Sequence, residues 1–232
     1  MTQREQQSHV SISLQSEETM NPKALTAEFV GTFALIFIGA GAGAIGAGGL
    51  VGVALAHGLV LMAVAAAYGP ISGAHINPAV TIALWFGRQI KTAEAVGYIV
   101  VQLLGGIAGA FALRFVLGGA ESGLGATVLG SGVSPAQGLA VEAVLTFFLV
   151  NTIYNTAVSG KAGNLAPAAI GLTLAFAILM GGPLTGASLN PARTIGPAVA
   201  AGNYANLWVY LAGPVIGGVA AALLYDRVLK GA

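Results

Sequence analysis

The sequence predicts an all-α membrane protein: six transmembrane helices plus two re-entrant half-helices, arranged as an inverted three-helix repeat. Composition is the first reason. Of 232 residues, 56% are hydrophobic and only 7% charged, whereas charged residues make up about 25% of a soluble chain. So few charges cannot clothe a water-facing surface, and the bilayer becomes the natural solvent. The second reason is six apolar stretches of membrane-crossing length. The third is a twelve-residue segment that occurs twice.

Residues 1–22 are polar, with Arg4, Glu5, Glu17 and Glu18, and no basic cluster leads into an apolar run. They read as a flexible cytoplasmic tail rather than a signal peptide. Residues 23–232 then form one membrane domain. Its apolar stretches run approximately 24–46, 50–69, 95–117, 137–157, 166–182 and 206–228, each near the roughly 20 residues that a spanning helix needs. Two further apolar pieces, about 77–87 and 190–201, are too short to span and follow Gly/Pro breaks, so they are expected to be half-helices.

The repeat fixes how these elements are related. Gly69-Pro-Ile-Ser-Gly-Ala-His-Ile-Asn-Pro-Ala-Val80 aligns without gaps on Gly182-Pro-Leu-Thr-Gly-Ala-Ser-Leu-Asn-Pro-Ala-Arg193, with seven of twelve positions identical. Upstream, Ala27-Glu28 with Thr32-Phe33 recurs as Val141-Glu142 with Thr146-Phe147. The chain is a duplication, with units at about 23–117 and 137–229. Each unit holds three spans, so the second enters the membrane from the opposite side. Short cytoplasmic loops collect Lys and Arg. Placing both termini in the cytoplasm puts Arg4, Lys23, Arg88, Lys91, Lys161, Arg227 and Lys230 inside, seven of the nine basic residues. The expected location is the cell (inner) membrane. The glycine pairs Gly39/Gly43, Gly105/Gly109 and Gly213/Gly217 have the spacing of close helix crossings.

The chemistry is concentrated at the breaks. Asn is a common helix cap and Pro a common first helical residue, so one Asn-Pro-Ala says little. Two in inverted halves place Asn77-Pro78-Ala79 and Asn190-Pro191-Ala192 face to face at mid-bilayer. The amides of Asn77 and Asn190 then offer N–H donors to a passing molecule. A broken helix frees carbonyls that hydrocarbon cannot satisfy, so Gly73, Ala74, His75, Ile76 and Gly186, Ala187, Ser188, Leu189 are expected to supply a ladder of acceptors. Both half-helix N-termini point at the centre, each carrying about half a positive charge, which repels cations and protons. Arg193 stands where the first copy has Val80. A cation there is costly in a membrane and normally faces an aqueous path. Glu28 and Glu142, matched in the two halves, fit carboxylates that brace the broken loops.

Several classes fall away. A net charge of +1 without a basic run gives no footprint for nucleic acid. Zero Cys excludes disulfides, thiolate metal sites and a thiol nucleophile. No metal cluster, cofactor motif or catalytic set accompanies the breaks, so neither cofactor nor enzymatic activity is expected. A secondary transporter also uses inverted repeats and broken helices, but it needs coupling groups near the break, for which Glu28 and Glu142 are the acidic candidates.

Ser72-Gly73-Ala74-His75-Ile76-Asn77-Pro78-Ala79-Val80, Asn190-Pro191-Ala192-Arg193 and Ala27-Glu28-Phe29-Val30-Gly31-Thr32 closely resemble the aquaporin, or major intrinsic protein, family, over about residues 23–229. The resemblance implies a passive pore for water and small neutral solutes in the lipid bilayer, and a homotetramer in which each subunit has its own pore. It also implies an aromatic/arginine filter, which falls here at His57, Ile178, Ala187 and Arg193. Strict water channels of the family have Phe, His and often Thr or Cys at the first three of these positions. The set His-Ile-Ala-Arg is similar to that of plant tonoplast aquaporins, which pass water and, in some members, ammonia or urea. Thr194, Ala198 and Tyr210 depart from the glycerol facilitators, which have an Asp, a basic residue and Pro there. Leu211 is facilitator-like, which leaves glycerol open.

Overall fold

A computed structural model describes residues 21–231, which contain helices and connecting loops and no strand. Six helices are long and apolar enough to cross a membrane: α1 (Pro22–Ala44), α2 (Gly49–Ser72), α4 (Thr92–Val116), α5 (Pro135–Val158), α6 (Gly163–Thr185) and α8 (Leu207–Leu229). The two half-helices are α3 (Pro78–Phe86) and α7 (Pro191–Ala201). Most of the predicted tail, residues 1–20, lies outside the described residues. Its last two residues belong to the fold: Asn21 caps α1 by accepting from the Lys23 N–H at 3.0 Å, and Pro22 is the first helical residue.

The spans lie within three residues of their sequence boundaries, and two of the largest shifts fall at the breaks. The first break was placed at Gly69-Pro70, yet α2 continues to Ser72, and α6 likewise passes Pro183 to end at Thr185. A proline so near the helix end removes one intrahelical donor without stopping the turn. The stop comes from Gly73 and Gly186, whose φ of 84° and 79° is left-handed and whose N–H groups close the last turn on Gly69 and Gly182. Three of the spans contain π-helical segments, at Leu35–Ala40, Tyr154–Val158 and Tyr225–Leu229.

Helix α1 packs on α4, α5 on α8, and α2 crosses α6. These pairings are related by the repeat, and glycine makes each of them possible. A Cβ on Gly58 of α2 would stand 2.6 Å from the Gly171 carbonyl oxygen of α6, and one on Gly171 would collide with the Gly58 carbonyl. Gly105 and Gly109 bring α4 onto the Phe29 and Phe33 carbonyls of α1, while Gly213 and Gly217 bring α8 onto those of Leu139 and Ala143 in α5. The third pair departs from expectation. Gly43 meets only ordinary contacts, and Gly39 faces the ring of His57 instead of a helix backbone.

Each half-helix lies against the last span of the opposite unit, α3 on α8 and α7 on α4. Their C-terminal carbonyls have dedicated donors. Arg114 Nη1, at the end of α4, donates to Ala200 O at 2.8 Å, and Tyr154 Oη donates to Ala83 O at 2.9 Å. The cation suits the negative end of a helix dipole. Large apolar residues such as Val51, Leu104, Phe115, Phe148 and Phe176 remain exposed on the outward faces, as a surface solvated by lipid requires.

Candidate pore and selectivity filter

The site is built where the two half-helices start. Asn77 and Asn190 cap them: Asn77 Oδ1 accepts from the Ala79 N–H, and Asn190 Oδ1 from those of Ala192 and Arg193. This fixes the amide orientation, because the oxygen is committed to backbone donors. The nitrogens then reach across. Asn77 Nδ2 donates to Leu189 O at 2.8 Å and Asn190 Nδ2 to Ile76 O at 3.0 Å, so each cap ties the two loops together. One hydrogen of each amide is spent in this way, which the sequence did not foretell; the other remains for the cavity that both residues line.

Behind the loops stand the two glutamates, each wholly buried. Glu28 accepts from Ser72 Oγ and the His75 and Ile76 N–H groups, and from Gln102 Nε2, at 2.6–2.9 Å. Glu142 accepts from Thr185 Oγ1 and from the Ser188 and Leu189 N–H groups at 2.7–2.9 Å. Hydrogen bonds to a charged group contribute about 1.5–3 kcal/mol each. They draw the loop N–H groups outward and hold a strained backbone: Ala74, Ile76, Ala187 and Leu189 have φ of 48°, 41°, 44° and 54°. A β-branched residue such as Ile76 adopts that conformation only where its surroundings enforce it.

Two hydroxyl chains finish the frame. In the first loop, Gln102 Nε2 donates to Thr81 Oγ1, which bonds His75 Nδ1 at 3.1 Å. In the second, Ser188 Oγ gives its hydrogen to Asn190 O, so Thr194 donates to Ser188 and Thr127 to Thr194, at 2.7 and 2.8 Å. Tyr98 and Tyr210 clamp the ends of α2 and α6 by donating to Ser72 O and Thr185 O, both at 2.9 Å. Sequence reasoning missed Gln102, Thr127 and both tyrosines. The tyrosines had a signal, since they fall at the same repeat offset as Gly105 and Gly217. Thr127 had none, because it lies in the connection between the units.

Between the loops and the spans runs a narrow cavity of about 30 Å³. Its wall is largely a set of repeat-related pairs: Leu35 with Leu149, His57 with Ile170, Leu61 with Leu174, His75 with Ser188, Ile76 with Leu189, Asn77 with Asn190 and Val80 with Arg193. The spans contribute aliphatic side chains and His57, and the loops and half-helices contribute the caps and the other lining residues. Ala74 and Ile153 also contribute. Of the predicted ladder, Gly73, Gly186 and Ala187 lie outside this lining, as does Ile178 of the predicted filter. Ile178 and Ala187 are buried beside the α6 glycines, Ile178 Cγ2 being 3.8 Å from where a Gly182 Cβ would stand and Ala187 Cβ 3.2 Å from that of Gly181.

His57 and Arg193 add polarity to the cavity wall. His57 Nδ1 lies 2.9 Å from Val53 O, and a carbonyl only accepts, so Nδ1 carries the hydrogen and the neutral ring presents Nε2 as an acceptor. Nε2 is buried and unpartnered, and so are Nε and Nη1 of Arg193. Among the described residues, Arg193 makes no ion pair. Unmet buried polar groups are costly. Here an acceptor and two donors belong to side chains that line one cavity, a combination suited to a small molecule that both donates and accepts.

Comparison with known proteins agrees with this geometry. The sequence model of the family described as "Major intrinsic protein" matches residues 15–225. Aquaporin TIP2-1 of Arabidopsis thaliana is 41% identical over 222 residues, covering 90% of this chain and 88% of that protein. The probable aquaporin TIP2-2 of Oryza sativa subsp. japonica is 44% identical over 219 residues, covering 89% and 87%. Among solved structures, the aquaglyceroporin from Plasmodium falciparum superimposes with a TM-score of 0.81 at 26% identity, covering 90% of this chain and 97% of its own. With two capped half-helices, two braced loops and these relatives along nearly its whole length, this integral membrane protein belongs to the major intrinsic protein family.

Proposed function

We infer that the chain is a passive channel that conducts water and small neutral solutes and excludes protons and other ions; it is not an enzyme. The observation that carries this reading is the unpartnered trio of His57 Nε2, Arg193 Nε and Arg193 Nη1 in the wall of one cavity. A permeating molecule completes their hydrogen bonds and loses them on leaving, which makes passage selective without tight binding. Charge is opposed at two levels. Arg193 repels cations in the wall, and the N-termini of α3 and α7 meet at the Asn pair, each worth about half a positive charge. In the ladder, the carbonyls of Ala74, His75 and Ser188 hand the molecule along, while the aliphatic side chains of Leu61, Leu174 and Ile170 offer no competing partner.

His57, Ile178, Ala187 and Arg193 are proposed as the selectivity filter, with Ile178 and Ala187 setting the width behind the two polar groups. An Ile and an Ala in place of bulkier or polar residues admit solutes somewhat larger than water, with ammonia and urea the first candidates. The likeness to an aquaglyceroporin fold keeps glycerol on the same list. An ion-coupled transporter is disfavoured because both intramembrane carboxylates are occupied by loop donors. We further propose a homotetramer in the cell membrane with both termini cytoplasmic, supported by the basic residues that gather at one end of the spans and by the apolar outer faces.

Stopped-flow light scattering on proteoliposomes under water, ammonia, urea and glycerol gradients tests the reading. Water and at least one neutral solute are expected to pass with no ion gradient present. Flux that demands an ion gradient, or that saturates at low solute, would reject a passive channel.

A further inference from the structure

We propose that Gly39 is a specificity-determining residue: its bare Cα seats the His57 ring and thereby sets how far that ring stands from Arg193. The proposal rests on the reading of His57 and Arg193 as a filter. Gly39 lies in the π-helical segment Leu35–Ala40 of α1, four residues beyond the pore-lining Leu35. Widened helical turns of this kind recur at functional sites. A Cβ built on Gly39 would meet three atoms of one group, His57 Cδ2 at 2.6 Å, Nε2 at 2.8 Å and Cγ at 2.9 Å. No real Cβ tolerates such distances, and the ring is no loose chain end, since Nδ1 is tethered to Val53 O at 2.9 Å. Any side chain at 39 therefore displaces the imidazole, and the open side is the cavity it shares with Arg193.

The repeat supplies an internal control on this argument. Gly39 corresponds to Ile153 and His57 to Ile170, through the same offsets that relate Glu28 to Glu142 and Gly58 to Gly171. Both isoleucines line the same cavity. Where the repeat has Ile170 in place of His57, a large residue stands at the position of Gly39; against the imidazole of His57 the position is bare. Gly43, on the same helix, shows that smallness alone is not the point: its Cβ would meet Gly125 Cα at 3.7 Å, an ordinary contact.

The test is a double-mutant cycle in proteoliposomes, reading urea and water permeability for the parent, Gly39→Ala, His57→Ala, the double variant and Gly43→Ala. Overpacking by one methyl group against a tethered ring is expected to lower the urea-to-water ratio about tenfold in Gly39→Ala. In the His57→Ala background the same change is expected to do nothing to the ratio, because the group it acts through is gone. Gly43→Ala is expected to match the parent. A ratio unchanged in Gly39→Ala, or lowered equally with and without His57, would overturn the proposal. Should Gly39→Ala alone fail to assemble, recovery in the double variant supports the ring contact, and failure of both variants rejects it. A His57→Ala channel with the parent's ratio would instead defeat the filter reading itself, a distinct result.

Discussion

The two loops that carry the Asn-Pro-Ala turns share a backbone and divide in their side chains. Each ends a span on a left-handed glycine, alternates strained residues with normal ones, and is pulled outward by a buried glutamate. What differs is the fourth residue from each Asn-Pro cap, Val80 against Arg193, together with His75 against Ser188 and, on the spans, His57 against Ile170. The common part builds a passage, and the divergent part decides what uses it. Bracing also differs in degree. Glu28 receives four donors and Glu142 three, the extra one being Gln102 from α4. The second loop recovers a tether through Thr127 and Thr194, which anchor it to the connection between the units.

Removing the shared element is expected to have the largest effect. Glu28→Leu or Glu142→Leu leaves three or four buried donors without an acceptor, at about 1–3 kcal/mol each. Neither variant should yield a folded channel, as judged by monodispersity and thermal unfolding in detergent. Milder Gln substitutions, which keep one carbonyl acceptor, should restore part of the yield. An unperturbed Leu variant would remove the glutamates from the frame.

Making the halves alike at the charged position comes next. Arg193→Val copies Val80 into the second loop, and is expected to preserve water flux while raising proton and cation leakage about tenfold or more, because a unit charge in a low-dielectric wall is worth at least one decade of exclusion. Pyranine-loaded vesicles read the proton component. Unchanged leakage would leave the barrier to the half-helix dipoles alone. His57→Ile copies Ile170, removes the unpartnered acceptor, and should shift the ratio of ammonia to water flux by a few fold, on the scale of one hydrogen bond.

The smallest effect belongs to the tether. Thr127→Val removes one hydroxyl from the chain through Thr194 to Ser188, a loss of about 1 kcal/mol, and should lower the unfolding temperature by about 2–4 °C. Thr127→Ser should restore it. Because Thr194 adjoins Arg193, a rise in cation leakage without loss of stability would show that the tether tunes the filter rather than the frame.

Much of this was legible beforehand for a definite reason. Hydropathy over twenty residues reports burial in lipid, so all six spans and both half-helices emerged within a few residues of their ends. Among the largest shifts, each of three residues, those at Ser72 and Thr185 lie beyond prolines that a helix can tolerate in its last turn. The glutamates were legible because a duplication shows the same costly residue twice. Gln102 and Thr127 were not, since each occurs once and is positioned by packing. Gly39 misled: its spacing from Gly43 matched a helix crossing, and only the fold shows an imidazole opposite it.

The sequence by itself determined the solvent, the number of spans, the inverted repeat, the caps and the placement of a single cation beside one of them. Each of these is a local or periodic property, set by transfer to lipid and by helix-end chemistry. Tertiary structure alone decided that each Asn amide bonds the opposite loop, that His57 ties Nδ1 to Val53 O and leaves Nε2 unpartnered, and that Arg193 keeps two donors free. Hydrogen bonds between residues more than a hundred positions apart depend on how helices cross, and crossings are fixed by close packing that no linear pattern records.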